Sequence, residues 1–152
     1  MKYFEDFAVG EKRESPRRHL ITEEEIMEFG NRWDYQPFHV DPEAAKASVF
    51  GGLVASSTHL FAVSVSLFCH KDLDSAGRSA AISALGFNNI KLKAPVRPGD
   101  ELKCVSVVIE KRQSNSRPGA GILVMRNEVT NQHEELVFVY EHAALYRLRE
   151  AS

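Results

Sequence analysis

The feature that most restricts this fold is a contrast between two parts of the chain. A single long apolar run, Leu53 to Cys69, is followed from about Ser79 by strand-like segments only. The run falls short of the roughly 20 residues that a membrane span needs. It also carries His59 and several hydroxyl side chains, with no Lys or Arg flanking its N-terminal side. It therefore reads as a helix over about residues 55–70, buried inside protein rather than lipid.

After this helix, Lys71 to Gly77 (KDLDSAG) forms a polar connection. AISALGF and NIKLKAPV follow; in the second, Ile90, Leu92 and Ala94 alternate with Lys91 and Lys93, the period of a strand with one wet face. Arg97-Pro98-Gly99-Asp100 is a turn, ELKCVSVVIEK a strand and RQSNSRPGAG a flexible connection. Two further strands, ILVMRNEVT and ELVFVYEHAALYRL, are separated by Asn131 to His133. Successive antiparallel strands after one apolar helix predict an α+β architecture, a curved antiparallel sheet wrapped around a long central helix, which is the hot-dog fold. At 152 residues the chain is expected to form a single domain over 1–152.

Ahead of the apolar run, residues 3–20 read as a lead-in and a short strand. Thr22 with Glu25 has capping-box spacing, the hydroxyl taking the N3 amide and the glutamate reaching back to the cap. Ile26, Phe29 and Trp33 then recur at helical spacing, so this helix buries one face and ends near Gly30 to Asp34. Pro37 biases Gln36 away from helical torsions and keeps Asp34 to His39 as a loop, on which the two side chains can converge. On a helix, residues five apart would diverge. Asp41-Pro42 is an N-cap and N1 pair, which makes Asp41 structural.

The stretch from Asp34 to Ser57 thus gathers a carboxylate, an imidazole and a helix N-terminus. Asp34 alone is an ordinary turn or helix-end residue, and His39 alone an ordinary structural histidine. Their joint spacing around Pro37, followed by Gly51-Gly52 and the apolar helix, points to a site. The glycines permit close approach of backbone or ligand, but no Gly-rich nucleotide motif or following Lys-Ser/Thr accompanies them.

Other chemistries are disfavoured. The formal net charge is −2 with scattered basic residues, so a nucleic acid partner is not expected, nor a membrane surface. The two cysteines, Cys69 and Cys104, are too few for a disulfide framework or a four-ligand zinc site and read as reduced core residues. His59 and His70, eleven apart, fall on nearly one helical face, but no acidic or thiol ligand accompanies them, so no metal is expected. MKYFEDF does not read as a signal peptide, and a cytoplasmic location is expected.

The order DYQPFHVDPEAA, FGGLVA, an apolar helix and KAPVRPGDEL resembles the MaoC-like dehydratases and R-specific enoyl-CoA hydratases over most of the chain. Asp34, Pro37 and His39 meet that family's signature, with Gln36 where Asn is usual. The resemblance implies that Asp34 and His39 are a catalytic dyad and that Gln36 positions them. It also implies an acyl-CoA or acyl-carrier thioester as substrate, no cofactor beyond the CoA that the substrate carries, and a homodimer or higher homo-oligomer. The family's His-Gly pair at the start of the central helix is matched by Ser56 and Ser57. The backbone N–H of Ser57 would then bind the thioester oxygen, with Phe38, Phe50, Gly51 and Gly52 lining the pocket. The implied reaction is hydration of a trans-2-enoyl thioester to the (R)-3-hydroxyacyl thioester, or its reverse. The alternatives are a hot-dog thioesterase, disfavoured because no Asp or Glu occurs from Leu53 to His70, and a non-catalytic acyl-thioester binding module.

Overall fold

The computed structural model describes residues 1–71 and 78–149. A 3-10 turn at Phe4–Asp6 leads into two short strands, β1 (Lys12–Glu14) and β2 (His19–Leu20). Helix α1 spans Glu23–Trp33, and Thr22 caps it by accepting the Glu25 N–H at 3.1 Å. The expected reciprocal arm is absent: the Glu25 carboxylate turns away to two histidines. Ile26 is buried as the spacing predicts, whereas Trp33 is 66% exposed, because the last turn of α1 runs off the core.

Two short helices follow, α2 (Pro37–Val40) and α3 (Pro42–Lys46). The first corrects the loop expected from Asp34 to His39. Pro37 does force Gln36 into an extended conformation (φ −104°, ψ 142°), but a proline is itself preorganised for the first helical position, so one turn forms after it. Asp41 caps α3, its Oδ1 accepting the N–H groups of Glu43 and Ala44.

The central helix, α4, spans Ser57–Ser66 and is shorter than the apolar run that encodes it. Its start is delayed because residues 54 and 55 are extended and bonded elsewhere: Val54 N–H donates to the Phe38 carbonyl and Ala55 N–H to the Val96 carbonyl. His70 lies beyond the helix, so His59 and His70 do not share a helical face. Cys69 is exposed, and only Cys104 is a core thiol.

Four long strands complete the fold: β3 (Ala81–Leu92), β4 (Glu101–Gln113), β5 (Ala120–Thr130) and β6 (Leu136–Arg147). The sheet runs in the order β1-β4-β5-β6-β3, every pair antiparallel, with β2 also on β4. This is the hot-dog arrangement. Strand β4 alternates strictly, sending Leu102, Cys104, Ser106 and Val108 inward. Leu60 and Val63 of α4, with its C-cap Leu67, pack in one cluster with Leu102, Val129, Val137 and Phe138. A fully buried leucine such as Leu60 or Leu67 contributes about 1.5–3 kcal/mol.

AISALGF and NIKLKAPV prove to be mostly one strand, β3, irregular between Asn88 and Lys91, where Asn89 has a positive φ of 52°. Its apolar side is not buried as the alternation implied: Ile90 and Leu92 are 53% and 56% exposed on this edge strand. The connection expected at 71–77 lies, apart from Lys71, outside the described residues. Among the described residues no helix is long and apolar enough to cross a membrane.

Candidate active site

Asp34 is the C-cap of α1, its N–H donating to the Gly30 carbonyl at 3.0 Å. The chain then tightens, Gln36 N–H bonding the Asp34 carbonyl and His39 N–H the Gln36 carbonyl. These bonds turn α2 back against α1, so that His39, 6% exposed, sits with Nε2 3.7 Å from Asp34 Oδ2. On the other side of the ring, Nδ1 is 2.6 Å from the Val54 carbonyl oxygen. A carbonyl only accepts, so Nδ1 carries a proton, and in the neutral form of the ring Nε2 presents its lone pair toward the carboxylate. At 3.7 Å the pair is too far apart for a direct hydrogen bond. Both atoms can nevertheless reach one shared water at about 2.8 Å.

The same segment delivers the helix terminus. Three residues after Val54, α4 begins at Ser57, with Ser56 as its N-cap accepting the His59 N–H at 3.2 Å. The amides of Ser57 and Thr58 have no intrahelical acceptor, and both residues are exposed. The resulting terminus is a donor site for developing negative charge.

Phe38 packs at 4.6 Å from the His39 ring and 5.1 Å from Phe50. Arg97 Nη2 donates to the Phe50 carbonyl at 2.6 Å and lies beside Gly52. Gly51 has a φ of 67°, the left-handed conformation that lets the chain reverse here between α3 and the extended 53–55 segment. Asp34, His39, Phe38, Phe50 and the glycine turn are thus brought into one neighbourhood. Gln36 is exposed, and its backbone rather than its amide holds the turn.

Two features of this region leave little trace in the sequence. The first is Gly30. A Cβ added there would lie 2.9 Å from Val40 Cγ1 and 3.0 Å from both Cβ and the carbonyl oxygen of His39. The backbone oxygen cannot give way cheaply, so Gly30→Ala is expected to push α2 off α1. Alanine's better helix propensity, about 1 kcal/mol, is outweighed by overpacking of about 1–3 kcal/mol. Any hydration activity should fall about 10²-fold, since a misplacement near 1 Å costs that much. Thermal denaturation and steady-state rates on the purified variant check both effects.

The second is Glu25, which joins three elements. His19 Nε2 of β2 lies 2.9 Å from both carboxylate oxygens, and His59 Nε2 of α4 lies 3.1 Å from Oε1 without the geometry of a hydrogen bond. His59 is also stacked on Phe29 at 4.7 Å. Burial alone would raise the Glu25 carboxyl, but contacts with His59 and His19 outweigh it and hold the group below its usual value. A carboxylate depressed on folding adds stability that is present above its unfolded pKa and is lost as pH falls through the folded value. Thermal stability should therefore drop as pH goes from about 5 to about 3, and Glu25→Gln should flatten that part of the profile, as melting curves across the range would measure.

The MaoC-like domain family matches residues 6–130. A MaoC-like dehydratase structure from Rhodospirillum rubrum superposes with a TM-score of 0.86 at 34% identity, covering 98% of this chain and 99% of that one. An uncharacterized protein, YdeM of Bacillus subtilis, is 29% identical over 84% of this chain and 86% of its own length. The 3-hydroxyacyl-thioester dehydratase Z of Mycobacterium tuberculosis is 33% identical over 67% of each chain. By sequence and by fold, then, this chain belongs to the MaoC-like domain family.

Proposed function

We propose that the protein adds water to trans-2-enoyl thioesters, giving (R)-3-hydroxyacyl thioesters, and catalyses the reverse dehydration, with CoA or an acyl carrier as part of the substrate and no other cofactor. The observation that carries this reading is the state of His39: Nδ1 is tied to the Val54 carbonyl and Nε2 faces Asp34 across 3.7 Å. A water held between them loses a proton to Nε2 as its oxygen bonds to C3. The π electrons move through C2 toward the thioester oxygen, which the Ser57 N–H stabilises. Collapse of the enolate then takes a proton at C2 from the imidazolium, so the net change is one water added. Asp34 orients the water and balances the transient imidazolium charge. Each such proton transfer contributes about 10² to 10⁴ in rate.

Incubation with trans-2-enoyl-CoA substrates of short and medium chain, following both the conjugated double bond and free thiol, tests the reading. Loss of the double bond without thiol release is expected. Thiol release would make the protein a thioesterase, and saturable binding with neither signal a binding module.

The substrate reading comes with an oligomeric one. Among the described residues strand β3 is hydrogen-bonded along one side only, by β6, and it exposes Leu85, Phe87, Ile90 and Leu92. A long apolar edge of this kind is covered by a partner or aggregates. Sedimentation should give a dimer or a higher multiple, and the double substitution Leu85→Glu with Ile90→Glu should give monomer.

A further inference from the structure

A cavity of about 570 Å³ bounded by described residues lies between α4 and the inner face of the sheet. Ser64, Val65 and Phe68 line it from the helical side, and Val108 and Met125 contribute apolar wall. A chamber built only for hydrocarbon would have apolar residues at every inward strand position. Here the sheet contributes a patch of polar ones. Strand register sets Ser106 opposite Asn127 and Asn127 opposite Tyr140, a row across β4, β5 and β6, and His142 opens the next row opposite Met125. All four line the chamber.

Their hydrogen bonds are incompletely used. Tyr140 Oη lies 3.2 Å from Ser64 Oγ and is occupied. Asn127, 2% exposed, has Nδ2 2.9 Å from His142 Nδ1. That contact leaves Asn127 Oδ1 and His142 Nε2–H without partners among the described residues, and neither atom is sealed inside the protein. Turning the amide over exchanges the two roles, so in either setting the pair offers the chamber at least one donor and one acceptor. A hydroxyl group complements such a pair. Burial lowers the His142 imidazole, so the pair is uncharged at neutral pH and is matched to a neutral oxygen rather than a carboxylate.

The chamber also lies along the helix that carries the oxyanion donor. From Ser57 to Val65 is eight residues, about 12 Å along the α4 axis. An acyl chain of medium length that left the thioester at the first turn and followed the helix would span that distance. We propose that the chamber takes the acyl chain and that Asn127 and His142 select chains bearing a hydroxyl group, so that the substrate class is an oxygenated acyl thioester rather than a plain fatty one. This rests on the hydratase reading for the position of the thioester. A buried donor and acceptor left unpaired by a hydrocarbon chain make such a site discriminate strongly.

The test measures binding of saturated thioesters, which cannot be hydrated. Decanoyl-CoA is compared by calorimetry with hydroxydecanoyl-CoA isomers whose hydroxyl occupies successive positions along the distal half of the chain. At least one isomer is expected to bind tenfold or more tightly than decanoyl-CoA. Asn127→Leu and, independently, His142→Phe should each abolish that preference while decanoyl-CoA binds as well or better. His142→Phe serves if Asn127→Leu does not fold. Equal binding of all isomers, a preference that survives in a folded variant, or no binding of any chain overturns the inference. If the hydroxyl preference is found but no enoyl thioester is hydrated, the hydratase reading fails and the chamber stands; hydration without preference has the opposite meaning.

Discussion

Replacing His39 by alanine, or Asp34 by asparagine, is expected to lower the rate constant for enoyl thioester hydration by about 10² to 10⁴ with little change in KM. The kcat effect follows because both side chains act on the water and the transferring proton, which matter in the transition state and little in substrate binding. The two variants differ in a way that separates chemistry from folding. His39 is buried, and its Nδ1–H satisfies the Val54 carbonyl, so alanine leaves that acceptor unpaired at a cost of about 1–3 kcal/mol and should lower the melting temperature. Asp34 is only partly buried, and its backbone contacts to Gly30 and Gln36 survive substitution by asparagine. Asp34→Asn should therefore melt close to wild type while losing activity. Near wild-type turnover in both variants would remove the dyad from the mechanism.

Much of this arrangement is legible in the sequence where the cause is local. Thr22 and Asp41 cap their helices because the capping contact spans two or three residues. What escapes is set by contacts between distant segments. The apolar run at Leu53 does not reveal that Val54 and Ala55 are held extended by Phe38 and Val96, which shortens α4 at its start. The Thr22/Glu25 spacing has two uses for the same glutamate, and His19 and His59, from other elements, decide which is taken. Gly30 looks like an ordinary helix-end glycine until His39 is seen against it. Ile90 and Leu92 alternate as residues facing a core, but the described chain supplies no layer to cover them. The pairing of Asn127 with His142 depends on strand register, which periodicity alone does not determine.

Ser57→Pro is expected to lower kcat by about 10² to 10³, or roughly 2.7–4 kcal/mol of barrier, if the backbone amide at this position binds the enolate oxygen. A side-chain deletion cannot test a backbone donor, whereas proline removes the N–H itself. The first helical position is where a helix tolerates proline best, because that amide has no intrahelical acceptor and the ring already has a helical φ. Ser56 has φ −70° and ψ 158°, the extended geometry that a residue before proline requires, and its hydroxyl still accepts the His59 N–H. The helix should therefore persist, with a melting temperature near that of the wild type. Ser57→Ala keeps the amide and should hold the rate within a few-fold. A large loss in the proline variant beside a small one in the alanine variant assigns the effect to the N–H group, because the two substitutions both remove the hydroxyl and differ at the backbone. Equal activity in both would move the oxyanion donor elsewhere, and Thr58, whose amide is also free of an intrahelical acceptor, would be the next position to alter.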